Sequence, residues 1–398
     1  MQRQTLGGIT FVVSLALFFL ISDYLAGWYV YHRMGFDSNF RFEDGAHVKG
    51  EVLDLYLEYI AEQKGYKIAV IGDSVVQGAG VPQRDQTITA HLQDELRGSY
   101  LPGARVFNLG LPGGRSADLF MAVKKLHEAG AAQLIVVNIS YPFFSDEMAQ
   151  IPVLYDKVWA PCLTEEEKKD LRVTASEQAE QVDRTEPEEA GGFMDAEKFL
   201  QGKIASYWNV YRFRQELNRF LFGGRPADKA REYFDLAFKG VTPAQEQAAE
   251  PGREEPLSEK DKPENKYKVW ESFSWSERDL EHLAKVFNVT DKNANFKYYQ
   301  KICRYLEENK IPAVIFMSPV NHSLLRKYQL INYDSYRVNT GLIGQVARQS
   351  NITFLNYQES VSPDLFHDSM HMLDGGNAIT ARLLSRDLQP LIQGALGK

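Results

Sequence analysis

The stretch Tyr66–Val81, YKIAVIGDSVVQGAGV, decides which fold the sequence predicts. Its first part, Ile68–Ile71, is an apolar and β-branched run of the kind that forms buried strands. The run ends at GDS, which places Ser74 at the carboxyl end of the predicted strand, where open α/β sheets bind their ligands. A helical turn starting just after Ser74 would direct free N–H groups to the same place and stabilise an oxyanion there. The stretch predicts a reactive serine, with a plain strand and a capping serine as an equal alternative.

Strand-like and helix-like segments alternate on both sides of this stretch. The predicted strands are Ile68–Ile71, Ala104–Leu109, Gln133–Ile139, Ile311–Met317 and Ile352–Asn356. The predicted helices are Val52–Ala61, Asp85–Arg97, Ser116–Ala129, Asn295–Glu308, Ser335–Gln349 and Gly375–Leu391. Because strands that alternate with helices pair in parallel, we predict an α/β fold, with three layers (α/β/α) around a parallel five-stranded sheet.

The middle of the chain interrupts this alternation. Residues 66–144 and 295–398 are predicted to be the two halves of the α/β core, separated by a mostly helical, charged insertion at 145–294. Within the insertion, residues 242–266 are rich in Pro, Glu, Gln and Lys, which predicts a disordered tract. Phe199–Phe222 carries apolar and aromatic residues at helical spacing, which favours an ordinary packed helix over a cap near the site or a face on the membrane.

The N-terminus predicts a membrane anchor within residues 1–33, followed by a linker and lead-in helix at 34–65. The anchor contains Gly8–Tyr31, a mostly apolar stretch that is long enough to cross a bilayer. Aromatic residues near its far end fit an interfacial belt, whereas Asp23 is costly deep in a bilayer and tolerable near the interface. We prefer a single-pass anchor to a cleavable signal peptide because the stretch exceeds a usual signal core. The flanking charges do not determine its orientation.

The composition argues against several other classes of protein. The chain has 398 residues, 25% charged and 44% apolar, so most of it is predicted to be globular. The net charge is −8 and there is no basic run, which argues against a nucleic-acid partner. The two cysteines, Cys162 and Cys303, are too few for a disulfide framework or a cysteine metal cluster. The sequence leaves open whether they form one disulfide bond with each other.

Ser74 requires a base, and His371 is the best candidate among the eight histidines. It lies in LFHDSMHMLDGGNA, directly before the last predicted helix, with Asp368 three residues upstream. On a turn, this spacing lets the carboxylate reach the imidazole Nδ1 and leaves Nε2 to take the serine proton. The same string raises a less favoured hypothesis, a metal held by His367, Asp368 and His371. No further ligand cluster stands out, so we expect neither a metal nor a cofactor.

Taken together, GDSVVQGAG near the start of the core and HDSMH near its end resemble the first and last blocks of the SGNH, or GDSL-type, hydrolases. The resemblance covers roughly residues 66–141 and 295–391 and implies a flavodoxin-like sheet. It also implies that Ser74 is the nucleophile, His371 the base, and Asp368 the acid that orients the base.

The same resemblance implies an oxyanion hole. The loop Asn108-Leu-Gly-Leu-Pro-Gly113 has the form of the second block of the family, so the Gly113 N–H is the candidate donor beside the Ser74 N–H, with Gly110 and Gly114 as open alternatives. The third block departs from the family pattern, because the third strand ends in VVNISYPFF without Gly-x-Asn-Asp. The sequence therefore does not decide the third oxyanion donor, for which the candidates are Asn138, Ser140 and Tyr141. Loss of one such donor typically costs ~100–1000-fold in rate.

The anchor, the ISYPFF and FMSPVNHS strings and their spacing to HDSMH are similar to a narrower group. This group comprises the DltD-like membrane-anchored proteins and single-anchor polysaccharide O-acyltransferases. The similarity implies a domain outside the cytoplasm, in a bacterial periplasm or on the cell surface, beside a multispanning membrane acyltransferase.

We therefore expect a membrane-anchored serine esterase or O-acyltransferase that acts on a cell-envelope polysaccharide or polymer through an acyl-serine intermediate. Its expected partners are the lipid bilayer, through residues 8–31, and a glycan or acyl-ester substrate. One alternative is a lipid-directed esterase or thioesterase with the aromatic insertion as a cap. The other is a non-catalytic scaffold of SGNH fold that binds glycan.

Overall fold

The computed structural model describes residues 2–42, 50–145, 208–222, 258–281 and 287–396. The contacts divide the chain into two compact units. Unit 1 comprises Met1–Phe36 and Thr185–Pro256, and unit 2 comprises Asp37–Arg184 and Leu257–Lys398. Both predicted halves of the core belong to unit 2, whereas the predicted anchor belongs to unit 1.

Five strands form a sheet in unit 2. They are β1 (Tyr66–Gly72), β2 (Ala104–Gly110), β3 (Leu134–Ile139), β4 (Ala313–Met317) and β5 (Thr353–Asn356). The strand order is β2-β1-β3-β4-β5, and all neighbouring strands pair in parallel. This confirms the predicted α/β fold, and the order is that of flavodoxin-like sheets.

Helices connect and flank these strands. The helices that contain described residues are α1 (Gln2–Met34), α2 (Gly50–Glu62), α3 (Ser74–Gln77), α4 (Ile88–Gly98), α5 (Ser116–Glu128), α6 (Asn209–Arg212), α7 (Arg214–Phe222), α8 (Glu277–Glu281), α9 (Ala294–Glu308), α10 (His322–Lys327), α11 (Tyr333–Gln349) and α12 (Asp374–Leu396). Short 3₁₀ helices lie at Arg84–Gln86, Tyr141–Phe144, Glu259–Asp261, Trp270–Ser272 and Pro363–Leu365. All six predicted helices begin within three residues of their predicted starts.

The sheet is covered by helices on both faces. Ile68 and Val70 of β1 belong to the hydrophobic cluster that contains the apolar residues of α4 and α12, and these two helices pack against each other. Because side chains alternate along a strand, Ala69 and Ile71 face the other side, where α5 contacts β1 and packs against α9. All four strand residues are fully buried, and each buried Ile or Val stabilises the fold by about 1.5–3 kcal/mol.

Side-chain caps decide where several helices begin. The Thr87 hydroxyl accepts a hydrogen bond from the Ala90 N–H at 3.3 Å, so α4 begins at Ile88, three residues later than predicted. The residues before it form a separate 3₁₀ turn. In the same way, Asn293 Oδ1 accepts a hydrogen bond from the Phe296 N–H at 2.9 Å, so α9 begins at Ala294.

The strand order reverses between β1 and β3, because the chain passes from β1 to β2 on one side and then returns to β3 on the other. Such a reversal opens a crevice at the carboxyl ends of the two strands, where doubly wound sheets bind ligands. The residues that follow β1 and β3 are Asp73-Ser74 and Ser140-Tyr141. The fold therefore positions Ser74 at this crevice.

Among the described residues of unit 1, the helix α1 is long and apolar enough to cross a membrane, with Val13–Met34 as the candidate span. This agrees with the predicted transmembrane helix within residues 1–33. Residues 208–222 also belong to unit 1, where α6 and α7 both contact α1.

Some predicted features differ from the structure. The predicted helix Phe199–Phe222 is broken at Phe213 into α6 and α7 within its described part, 208–222. Residues 258–266, at the end of the predicted disordered tract, are ordered, with a 3₁₀ helix at Glu259–Asp261 and a hydrogen bond of 2.7 Å from Asn265 Nδ2 to the Glu259 carbonyl. Residues 146–207 and 223–257, including the rest of that tract and Cys162, lie outside the described residues. Cys303 is a buried free thiol in α9.

Candidate active site

Ser74 lies at a tight junction between β1 and α3. Asp73 is extended and caps α3, because its Oδ1 accepts a hydrogen bond from the Val75 N–H at 2.8 Å. Gly78 ends the helix after one turn in the left-handed region, at φ +86°, and its N–H donates to the Ser74 carbonyl at 3.0 Å. The short helix thus holds Ser74 as its first residue, half-buried at the carboxyl edge of the sheet.

The structure brings the three predicted side chains together in one line. Ser74 Oγ lies 2.7 Å from His371 Nε2, although the two residues are 297 positions apart in the chain. On the other side of the ring, His371 Nδ1 lies 2.6 Å from Asp368 Oδ2. Because a carboxylate can only accept, Nδ1 carries the proton, and Nε2 is left to accept the hydrogen bond that the Ser74 hydroxyl donates.

The backbone around Asp368 holds its carboxylate in place. Asp368 Oδ1 accepts from the His371 N–H at 2.7 Å and from the Met370 N–H at 2.9 Å. Asn321, the cap of α10, donates from Nδ2 to the Asp368 carbonyl at 3.2 Å and from its N–H to the Ser369 carbonyl at 2.8 Å. The spacing of three residues therefore lets Asp368 contact the His371 ring as predicted. Asn321, which follows β4 in the chain, stabilises this turn through its hydrogen bonds.

The surroundings alter the ionisation of both partners. Burial of Asp368 disfavours its charged form, but the charge of His371 and the hydrogen bonds from its ring and from two backbone N–H groups outweigh burial and hold the pKa well below the usual value. Burial likewise opposes the charged form of His371, but the nearby Asp368 and, more weakly, Asp73 raise the net pKa of the imidazole above 6.5. The pair is therefore built to stabilise an imidazolium.

A close backbone approach joins the serine loop to the histidine loop. A Cβ on Gly80 would lie 2.2 Å from the Met372 carbonyl oxygen and 3.2 Å from the carbonyl carbon of His371, so only glycine fits there. The histidine loop is held on its far side by the Trp270 N–H, which donates to the Phe366 carbonyl at 3.0 Å. These contacts set the distance between Ser74 and His371.

A buried polar network that the sequence did not predict lies behind Ser74. Ser140 Oγ donates to Asp73 Oδ2 at 2.7 Å and lies 3.3 Å from Ser318 Oγ, so the ends of β1, β3 and β4 are joined. Burial raises the pKa of Asp73 despite the hydrogen bonds from Ser140 and the Val75 N–H. A GDS string followed by a serine after the third strand is the only sequence signal for this network.

Of the three glycines considered as oxyanion donors, two have N–H groups that are already used. The Gly110 N–H donates to Asn108 Oδ1 at 2.9 Å, and the Gly114 N–H donates to the Leu111 carbonyl at 2.8 Å. In the part of the chain that the structure describes, the N–H groups of Gly113 and Ser74 donate no hydrogen bond. Gly72 and Gly110 pair in register, so Ser74 and Gly113 follow adjacent strands at the same edge, and Gly113 is exposed.

Asn138, one of the open candidates for a third donor, is fully buried inside β3. In the amide orientation that satisfies its neighbours, its NH₂ donates to Asp73 Oδ1 at 3.3 Å and its oxygen accepts from the Ile139 N–H at 3.2 Å. Ser140 donates its hydroxyl to Asp73, whereas the Tyr141 hydroxyl accepts from Asn339 at 3.1 Å and keeps its own O–H. The backbone N–H groups of Ser74 and Gly113 thus remain candidate donors, and the Tyr141 O–H is not assigned.

His367 does not join His371 in a ligand set. Its Nδ1 lies 2.8 Å from the Lys268 carbonyl, and its ring packs 5.4 Å from that of Phe273. Within the described ranges, no group of three His, Cys, Asp or Glu side chains is arranged to hold a metal ion. The two histidines of H-D-x-x-H thus have different partners and different roles in the loop.

Comparisons with known proteins give no family for this chain. A scan against protein-family models finds no match, and a search of curated proteins finds none either. The site is therefore interpreted from its own geometry, which is a hydroxyl hydrogen-bonded to an imidazole, an imidazole hydrogen-bonded to a carboxylate, and two backbone N–H groups that follow adjacent strands at the same edge of the sheet. This arrangement has the parts needed for acyl transfer through a serine.

Proposed function

We propose that the chain is a serine enzyme of the SGNH type that transfers acyl groups from esters. The observation that carries the proposal is the line of contacts from Ser74 Oγ through His371 to Asp368, with distances of 2.7 and 2.6 Å. A surface serine has no need of a half-buried, carboxylate-bound imidazole, whereas a nucleophile has. The particular activity that we propose is that of an esterase or O-acyltransferase.

The proposed reaction has two halves. Ser74 Oγ attacks the ester carbonyl carbon while His371 Nε2 takes the hydroxyl proton, and the oxyanion forms at the N–H groups of Ser74 and Gly113. The tetrahedral intermediate then collapses, His371 returns the proton to the leaving alcohol, and an acyl-serine remains. In the second half, His371 activates water or a sugar hydroxyl, which attacks the acyl-serine and restores the free Ser74.

We propose further that the enzyme is a single-pass membrane protein whose core works outside the cytoplasm on a cell-envelope polysaccharide or polymer. Support comes from α1, which is long and apolar enough to span a bilayer, and from the similarity to the DltD-like group. A multispanning membrane acyltransferase is the proposed partner that supplies the acyl group. The absence of Gly-x-Asn-Asp after the third strand suits a specialised transfer better than fast hydrolysis.

Covalent labelling of the full chain with a fluorophosphonate probe, followed by peptide mapping, tests the proposed nucleophile. We expect the label on Ser74, its complete loss in Ser74→Ala, and a labelling rate lower by roughly 10²–10⁴-fold in His371→Ala, because the hydroxyl then lacks its base. His367→Ala is the matched control, because His367 lies in the same loop but contacts Lys268 instead of Ser74. Unchanged labelling in His371→Ala, or no label on folded protein, would refute the proposal.

A series of chromophoric esters separates the proposed substrate class from its alternative. Preference for short acyl chains agrees with transfer to an envelope glycan, whereas preference for long chains indicates a lipid-directed esterase. Ser74→Ala measured in parallel corrects for hydrolysis that does not involve this site.

A further inference from the structure

Residues 208–222 pack against α1 around a single acidic residue. The backbone N–H of Asn209 donates to Asp23 Oδ1, and Asn209 Nδ2 donates to Asp23 Oδ2 at 3.2 Å. Gly27 lies one turn further along, where a Cβ would come within 3.2 Å of Asn209 Nδ2. The glycine lets α6 approach α1 closely, and the Asp23 carboxylate accepts hydrogen bonds from Asn209 at the start of α6.

The exposure of α1 changes at the same residue. From Val13 to Ile21 every side chain described is exposed, on all sides of the helix. Beyond Asp23, the residues Ala26, Val30 and Met34 are buried, and their spacing of four places them on one face. Val13–Ile21 is therefore exposed on all sides, whereas the part of α1 beyond Asp23 buries one face and contacts α6 and α7.

The length of the uncharged part of α1 matches a bilayer. Arg3 and Asp23 are the nearest charged residues on either side of 19 uncharged residues, which span about 28 Å as a helix. The hydrocarbon core of a bilayer is about 30 Å thick. A bilayer fitted to these 19 residues ends at Asp23, where a carboxylate is tolerated, and leaves the second half of the candidate span Val13–Met34 outside the hydrocarbon core.

The composition of residues 208–222 suits that depth. The segment holds three arginines and one glutamate, in a chain whose net charge is −8. The exposed Arg214 lies over the Tyr211 ring at 4.2 Å, the Glu216 side chain is buried, and Leu221 is 56% exposed. Trp208 packs edge-on against Phe19 at 5.8 Å, just below Asp23 on α1. Arginine, tryptophan and exposed apolar side chains on a short helix are typical of membrane interfaces.

We propose that residues 208–222 form a collar around α1 that lies in the headgroup region of the membrane and binds anionic phospholipid. The collar rests on the membrane anchoring in the proposed function and is independent of the chemistry at Ser74. It assigns the aromatic part of the insertion to the lipid surface instead of a cap over the active site.

Lipid-dependent quenching in the full chain tests the collar. Leu221→Cys, in a Cys162→Ser background, is labelled with bimane and reconstituted into phosphatidylglycerol-containing vesicles that carry a spin-labelled lipid. Val338→Cys is the matched control, because Val338 is a similarly exposed apolar residue, at 61%, on a helix of unit 2, and Cys303 is fully buried. We expect the spin-labelled lipid to quench bimane emission at position 221 and to leave emission at position 338 unchanged. No quenching at 221, or equal quenching at both positions, would overturn the collar.

Charge reversal tests the lipid class in the same vesicles. We expect Arg214→Glu combined with Arg219→Glu to reduce quenching at position 221 when phosphatidylglycerol is present and not in pure phosphatidylcholine. Arg337→Glu combined with Arg382→Glu, two exposed arginines of unit 2, is the control and should change nothing. If quenching at position 221 depends neither on phosphatidylglycerol nor on the two arginine substitutions, the proposal that the collar binds anionic phospholipid is wrong.

Two readouts separate this inference from the proposed function. Extraction of the chain from vesicles by alkali would refute both the anchor and the collar. Fluorophosphonate labelling of Ser74 in the same vesicles reports the serine chemistry alone, so either proposal can fail without the other.

Discussion

Asp368 and His371 lie close enough for each to alter the ionisation of the other. The carboxylate favours the imidazolium and raises the pKa of His371, while the imidazolium and the N–H donors lower the pKa of Asp368. A base with a raised pKa stays protonated to a higher pH than usual, and in that form it cannot accept the Ser74 proton. The same interaction that stabilises the imidazolium thus restricts the pH range in which His371 can accept the Ser74 proton.

We therefore predict that the rate of fluorophosphonate labelling rises with pH through a midpoint above 6.5. Asp368→Asn should lower this midpoint, because burial then depresses the pKa of His371 without a compensating charge, and should reduce the rate by roughly 10⁴-fold. Asp364→Asn, an exposed neighbour in the same region, should leave both the midpoint and the rate unchanged. A midpoint that does not move in Asp368→Asn would mean that another group controls labelling.

The residues of the site differ in how well the sequence predicts them. Ser74, Asp368 and His371 lie in two short strings whose spacing carries chemical meaning, and the structure brings them together at hydrogen-bonding distance. The contacts between Asp73, Ser140 and Ser318 join the ends of three strands that are far apart in the sequence. Such a network depends on strand order and register, which no local pattern in the chain encodes.

Two loops meet at the scale of secondary-structure elements, and their contact decides the geometry of the site. The loop after α3 touches the loop before α12 at Gly80, where the backbone of Met372 leaves no room for a side chain. A Cβ added at this position would overlap the Met372 carbonyl oxygen, so one of the two loops must shift. The distance from Ser74 to His371 is thus set by a glycine that takes no part in the chemistry.

We predict that Gly80→Ala lowers the labelling rate of Ser74 and reduces the free energy of unfolding by about 1–3 kcal/mol, as overpacking typically does. Gly98→Ala is the matched control, because a Cβ there would meet no atom within 4 Å and the residue lies at the end of a helix. Urea unfolding and labelling of both variants measure the effect. Equal behaviour of the two variants would show that the loops can separate without loss.

The elements themselves follow the sequence where a single physical signal dominates. The five strands are short apolar runs between polar or glycine-rich turns, and each appears close to its predicted position. The helix α10 was not predicted, because it has only six residues and its start depends on the Asn321 cap. The break at Phe213 between α6 and α7 was missed because hydrophobic periodicity continues across it.

At the scale of the whole molecule, the division into two units makes the anchor separable from the site. Ser74, Asp368 and His371 all belong to unit 2, while α1 and residues 208–222 belong to unit 1. The hydrogen bonds that form the site therefore do not depend on α1. The α/β class could be predicted from alternation along the sequence, whereas the pairing of 208–222 with α1 could not, because it joins segments almost 200 residues apart.

We predict that truncation after Ser22 and truncation after Phe36 give different proteins. The first retains Asp23–Met34, on which residues 208–222 pack, so it should be monomeric in solution and labelled at Ser74 at the rate of the full chain. The second removes that surface and should aggregate, because an apolar face of the insertion loses its cover. Size-exclusion chromatography with labelling of each peak checks this. Identical elution of both proteins would contradict it.

The distance in sequence between Ser74 and His371 also has a consequence in time. The two residues are 297 positions apart, and His371 lies near the end of the chain. A ribosome that adds about 5–20 residues per second makes the serine roughly 15–60 s before the histidine. The growing polypeptide therefore carries the Ser74 hydroxyl without its imidazole partner until His371 has been added.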